Sequence, residues 1–261
     1  MNGRINSRNR RIADSMGLEE FRYSDLSILY PQDYHLHLRE IFILDVYQSH
    51  LLKPNDTVLD LGSATGDFCI LASKKVGPQG TVIAIEPNPD DYEILEKNIR
   101  RNRCSNITPL NIGISGARGE SEITFRERTF KFVSDTLLNV IQNNCKTIQA
   151  DFIKMDIEGF EYETIKGSME LFEKCRVVSL EFHGMKQLID DLLLPMGFTY
   201  YDVTTQYLRK KVVENLVLHP VHFLRMALTA TRTNPRLFYE IPLGHDLEVK
   251  QPGVFMGYYI K

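Results

Sequence analysis

At 261 residues, with 43% hydrophobic and 25% charged side chains, the chain has the make-up of a globular protein that buries a core without disulfides or a structural metal. Its formal net charge of -3 supplies no global field for nucleic acid or membrane, and no stretch approaches the ~20 apolar residues that span a bilayer. The cysteines Cys69, Cys104, Cys145 and Cys175 form no C-x-x-C pair, which argues against a zinc ribbon, and no apolar run follows the basic N-terminus, so a cytoplasmic location is expected.

In chain order, residues 1–50 read as a polar, helical arm, with Leu36, Ile41, Ile43, Leu44 and Val46 on one face of a helix over 34–51. The pattern changes at residue 57. Residues 57–61 form a short apolar run ending in a glycine-bearing turn, as a buried parallel strand does. A helix is expected over 67–76, stopped by Gly77, then a buried strand over 81–85 and a helix opened by Pro89. Residues 107–114 alternate as one strand, and Ile123, Phe125, Phe130 and Phe132 alternate as a hairpin inserted over 121–134. A helix near 135–143, a strand over 152–155, a helix over 159–172 and a strand over 177–182 follow. Residues 185–196 read as a helix and 198–203 as a strand. This alternation predicts an α/β, Rossmann-like, doubly wound fold with a mostly parallel seven-stranded sheet and helices on both faces. The expected organisation is an arm over 1–50, a core over 51–205, an insertion or cap over 206–250 and a final core strand over 251–261.

Ligands of open α/β sheets bind beyond the carboxyl ends of the strands, at the topological switch point. The residues at those ends are Asp60 to Gly66, Glu86-Pro87-Asn88, Asn111-Ile112-Gly113, Asp156-Ile157-Glu158 and Glu181-Phe182-His183. The first loop opens a helix, and its glycines would let a ligand approach backbone N–H groups. A dinucleotide site would want G-x-G-x-x-G, but Ala64 and Asp67 stand where the later glycines belong, and Asp67 would repel a pyrophosphate. No Gly-Lys-Ser/Thr follows, which excludes a P-loop. A cofactor with an ammonium group and hydroxyls suits this loop better, and a carboxylate at Glu86 can accept from both ribose hydroxyls.

The runs Val58 to Phe68, Ala84 to Pro89, and above all Phe152-Ile-Lys-Met-Asp-Ile-Glu-Gly-Phe-Glu161 resemble the FkbM family of S-adenosylmethionine-dependent methyltransferases. Asn98, Asn102, Gly167 and Glu181 continue the likeness, which covers roughly residues 35 to 205. Family members often carry asparagine and an aromatic residue where this chain has Ala64 and Asp67. The resemblance implies that Gly62, Ser63, Ala64 and Gly66 let the loop backbone approach the cofactor, while Asp60 orients the loop or meets the amino group. It also implies that Glu86 holds the ribose beside Pro87 and Asn88, and that Asn111, Ile112 and Gly113 border the adenine. Asp156 and Glu158 would sit nearest the methyl group.

A hydroxyl acceptor benefits from a general base, for which Asp156, Glu158 and His183 are the candidates. The structural alternatives are carboxylates favoured by a helix start, for Glu158, Glu161 and Glu163, and a merely hydrogen-bonded ring, for His183. Asp156, Glu181 and His183 could bind a hard cation, but their spacing does not establish it, and no metal is expected. His35 and His37 would point apart on a helix, and Tyr200 and Tyr201 point to opposite faces of a strand, so neither pair forms a site. The expected acceptor is a hydroxyl of a small molecule, sugar or glycan. RNA is an alternative, encouraged by the clusters Arg4/Arg8/Arg10/Arg11, Lys97/Arg100/Arg101/Arg103 and Arg209/Lys210/Lys211, and a non-catalytic cofactor-binding protein is another. Oligomeric state is not legible.

Overall fold

The computed structural model describes residues 17–31, 34–125, 128–145, 149–221, 224 and 254–261. Seven strands form the main sheet: β3 (Thr57–Leu61), β4 (Thr81–Ile85), β5 (Ile107–Leu110), β9 (Phe152–Met155), β10 (Val177–His183), β11 (Thr199–Asp202) and β12 (Val254–Ile260). Their order is β11-β12-β10-β9-β3-β4-β5. Neighbouring strands from β5 to β10 pair in parallel, and β12 alone runs antiparallel, between β10 and β11. The α/β class, the seven strands and the mostly parallel pairing are as expected. β3 pairs with β4 on one side and with β9 on the other, so the switch point lies between β3 and β9.

The central strands are continuous apolar runs because helices cover both sheet faces. Val58 and Phe152 pack into one buried cluster, while their neighbours Leu59 and Ile153 pack into the other. Helices α2 (Asp67–Val76) and α3 (Pro89–Asn102) lie where expected. So do α4 (Leu137–Asn144) and α7 (Lys186–Leu193), the latter followed by a 3-10 turn that ends at Gly197 with φ 89°. None of the helices among the described residues is long and apolar enough to cross a membrane.

Three expectations need correction. Residues 18–31 are not helical: β1 (Leu18–Tyr23) and β2 (Leu26–Pro31) form an antiparallel hairpin. Helix begins only at α1 (His35–Arg39), which continues as a π-helix over Glu40–Leu44. The hairpin is held from outside itself. Asn98, buried on α3, accepts from Leu29 N–H at 2.7 Å and donates to Leu29 C=O at 2.7 Å and to Thr65 C=O at 2.8 Å. Asn102 grips Ser27 in the same way.

The strand expected over 107–114 divides, β5 staying in the main sheet while β6 (Gly113–Ile114) pairs with β8 (Arg128–Asp135). Between them Asn111 turns its amide onto Glu86 C=O (2.8 Å) and Pro87 C=O (3.1 Å). The inserted hairpin is present as β7 (Gly119–Phe125) with β8. The helix expected over 159–172 is two, α5 (Glu161–Lys166) and α6 (Met169–Lys174), broken where Gly167 lies tight against the Glu163 and Gly116 carbonyls. In the expected cap, α8 (Thr205–Leu218) is helical, and residues 225–253 lie outside the described residues.

Candidate active site

Beyond the carboxyl ends of β3, β4 and β9 lies a cavity with about 950 Å³ of space, part of it open to solvent. Among the described residues, the acidic residues Glu40, Asp67, Glu86, Asp91, Asp156 and Glu158 line it, against the basic residues Lys154 and His37. The opposite wall is apolar, formed by Ile114 and by Ile123, Phe130 and Phe132 of the inserted hairpin, with Phe160 beside them.

The turn after β3 is built by contacts within the protein. Gly62 has φ 75°, and a Cβ there would fall 1.8 Å from the Asp156 carbonyl oxygen. Gly66 has φ 90°, and a Cβ there would fall 2.5 Å from Leu95 Cδ1. Gly62 must be glycine because the Asp156 backbone comes this close, and the left-handed φ favours glycine at both positions. Ala64 N–H donates to Glu86 Oε2 at 2.8 Å, and Asn88 N–H donates to Glu86 Oε1 at 2.8 Å. The carboxylate at the end of β4 therefore meets the turn directly. Burial pushes the Glu86 pKa up to about 8, ahead of the lowering by these two donors, with nearby Asp91 raising it further. Burial likewise pushes Asp67 up to about 6.

Lys154 joins the two halves of the site. Its ammonium lies 3.2 Å from Asp60 Oδ1 and donates to Gly62 C=O at 2.5 Å. Burial would favour the neutral amine, but Asp60, Asp156 and Asp67 hold the pKa above the ordinary value. The Tyr47 hydroxyl donates to Asp156 Oδ2 at 2.7 Å, and the Tyr47 ring lies 5.1 Å from Lys154 Nζ. Burial would raise the Asp156 pKa, yet Lys154 and the Tyr47 hydroxyl bring it below the usual carboxylate value. Asp156 is thus an ionised carboxylate facing the cavity. Glu158, held at φ 55°, reaches the same space.

Of the residues singled out in the sequence, Gly62, Ala64, Glu86, Pro87, Asn88, Gly113, Asp156 and Glu158 line the cavity; Asp60, Ser63, Gly66, Asn111, Ile112 and His183 stand outside its lining. Asp60 is fully buried, with Lys154 Nζ 3.2 Å from its Oδ1. A Cβ at Gly113 would fall 2.0 Å from the Phe132 ring, which would have to move. His183 lies between Glu161 Oε1, 3.0 Å from Nδ1, and Glu158 Oε2, 3.4 Å from Nε2. Burial alone would lower its pKa, but those two carboxylates push it up to about 10.

Tyr47, Lys154, Asp91 and the aromatic wall were not among the expected site residues. Lys154 does carry a signal, because it lies inside the Phe152–Glu161 run and a lysine in an otherwise apolar central strand needs a buried partner. Tyr47 reaches Asp156 from 109 residues away, and no local pattern announces that contact.

A family model described as "Methyltransferase FkbM domain" matches residues 60–211. The hexuronic acid methyltransferase AglP of Haloferax volcanii is 28% identical over 150 residues, covering 51% of this chain and 58% of that protein. Methyltransferase sdnD of Sordaria araneosa is 26% identical over 209 residues, covering 61% and 80%. An arsenite methyltransferase of Halobacterium salinarum is 32% identical over 94 residues, covering 36% of this chain and only 20% of that protein. The crystal structure of methyltransferase FkbM from Methylobacillus flagellatus KT is similar with a TM-score of 0.46 and 19% identity, over 64% of this chain and 48% of that one. Since the matched segment spans more than half of the sequence and holds both the glycine turn and the Lys154–Glu158 signature, the chain belongs to the methyltransferase FkbM domain family.

Proposed function

We propose that the protein transfers a methyl group from S-adenosylmethionine to a hydroxyl of a saccharide or another small molecule. The observation that carries this reading is the acidic lining of the cavity, six carboxylic residues against Lys154 and His37 among the described residues, at the carboxyl ends of the strands. Burial above all pushes Glu86 and Asp67 toward their neutral forms. A ligand bearing ammonium and sulfonium charges would favour their ionised forms, whereas a diphosphate would oppose them. The residues therefore fit S-adenosylmethionine.

In this reading Glu86 accepts from the ribose hydroxyls, Pro87 and Asn88 flank the nucleoside, and Ile114 with Phe132 offers the base an apolar wall. Gly62 and Ala64 present the turn backbone to the methionine portion. Asp60, Ser63, Gly66, Asn111 and Ile112 support these groups from behind the cavity surface. The bound cofactor supplies an electrophilic methyl group, displaced in line by the acceptor oxygen. The chain's task is to bring that oxygen to ~3–3.5 Å and to receive its proton. In this reading Asp156 and Glu158, which line the cavity, serve that role.

The hexuronic acid methyltransferase relative supports a saccharide acceptor. The ion pairs support a small acceptor over RNA. Lys97 pairs with Glu93, Arg100 with Glu96, Arg101 with Glu20, and Lys211 with Asp45 and Glu214. Those cations are answered within the protein and do not converge on the cavity. Incubation with methyl-labelled cofactor and fractionated cell extract should place label in saccharide or small-molecule fractions, in a salt-insensitive reaction. Label in RNA, falling steeply with added salt, would overturn the acceptor assignment.

A further inference from the structure

We propose that Asp156, Glu158 and His183 form a divalent-cation site at the rim of the cavity, with Glu161 as the carboxylate that orients the histidine. One ligand atom of each of the three residues lies within 4.8 Å of the other two. Bonds of roughly 2.0–2.2 Å to a small dication put adjacent ligand atoms roughly 3 Å apart and opposite ones roughly 4 Å apart, so small side-chain movements close the set. Two carboxylate oxygens and an imidazole nitrogen suit a first-row ion such as Mn²⁺.

An independent observation comes from behind the cluster. Glu161 is fully buried, and its Oε1 lies 3.0 Å from His183 Nδ1. Metal-binding histidines commonly give their second ring N–H to such a carboxylate, which fixes the tautomer and frees the other nitrogen for the metal. Here that leaves Nε2 on the side of Glu158, 3.4 Å away. Glu161 Oε1 is steadied by the N–H groups of Ile157 (3.3 Å) and Gly159 (3.1 Å), while Oε2 has no hydrogen-bond partner among the described residues. A buried carboxylate with one oxygen unanswered is stabilised by extra positive charge one ring away.

The cluster also faces a use. Asp156 and Glu158 line the cavity and His183 stands behind them, so a six-coordinate ion would present its remaining positions to the cavity. Resting on the hydroxyl-acceptor reading above, those positions would take two neighbouring oxygens of the acceptor, as a vicinal diol or hydroxy acid provides.

The test uses the full chain with Mn²⁺ as the probe and no cofactor or acceptor, following free Mn²⁺ by electron paramagnetic resonance. One saturable micromolar site is expected, weakened about tenfold or more in His183→Ala and Glu158→Gln, and about tenfold in Glu161→Gln, with melting curves confirming that each variant folds. Glu158 is partly exposed, so its variant serves if the buried substitutions fail to fold. Absence of saturable binding by the wild type at millimolar Mn²⁺, or equal binding by folded variants, overturns the site. Methyl transfer to a uronic acid or vicinal diol that is lost in EDTA and restored by Mn²⁺ supports the acceptor clause; transfer indifferent to EDTA overturns it. Intact Mn²⁺ binding with no transfer under any condition counts against the methyltransferase reading and leaves the cation site standing.

Discussion

The two sides of the switch point use their polar residues differently. On the β3–β4 side, Asp60 pairs with Lys154, Gly62 yields to the Asp156 carbonyl, Gly66 yields to Leu95, and Glu86 caps the turn through Ala64 and Asn88. On the β9–β10 side, Asp156 and Glu158 turn toward the cavity, backed by Tyr47, Glu161 and His183. The first side is a scaffold whose motif residues mostly hold one another. The second turns its carboxylates toward the cavity. A glycine-rich motif can thus mark close backbone packing as much as ligand contact.

Substitution of Gly62 tests that contrast most severely. Gly62→Val should cost about 4 kcal/mol or more and leave little folded protein, because the new Cβ meets a backbone carbonyl at a positive φ. A Gly62→Val protein that melts like the wild type but no longer binds cofactor would show the glycine to be a ligand-contact residue, erasing the distinction.

On the opposite side, Asp156→Asn should lower kcat by roughly 10²-fold or more while the melting temperature changes little. An unchanged kcat in a methyl-transfer assay would move the chemistry away from β9. Glu86→Ala should be milder, weakening cofactor affinity by about one to two powers of ten in calorimetry, from the lost hydrogen bonds to the ribose hydroxyls. Wild-type affinity there would leave Glu86 a turn cap alone.

The smallest effect is in pH. Because the folded protein raises the Glu86 pKa to about 8, it holds that proton more tightly than the unfolded chain does. That contribution to stability is full below the unfolded pKa and is lost as pH rises through about 8. The cofactor-free protein should therefore melt lower at pH 9 than at pH 6, with a shallower slope in Glu86→Gln. Equal slopes for the two proteins would locate the titration elsewhere.

The strand–helix rhythm from residue 57 to 203 was legible because buried parallel strands are short apolar runs with local start and stop signals, such as Asn88-Pro89 before α3 and Gly77 after α2. The meeting of Glu86 with the turn at Ala64 followed from topology, since adjacent parallel strands end side by side. The β1–β2 hairpin was missed because its fixing contacts come from Asn98 and Asn102, some 70 residues on. The division at Asn111 depends on that side chain's bonds to the Glu86 and Pro87 carbonyls, which no window around residue 111 contains.

By itself the sequence determined the fold class, the family and the strand ends where ligands gather, because periodicity and short motifs are local properties of the chain. Only the tertiary structure decided which of those residues face the cavity and which support it from behind. It also decided that His183 lies between two glutamates and that Tyr47 and Lys154 stand at the cavity. Burial and charge proximity set those roles, and both depend on segments far apart in the chain being folded against one another.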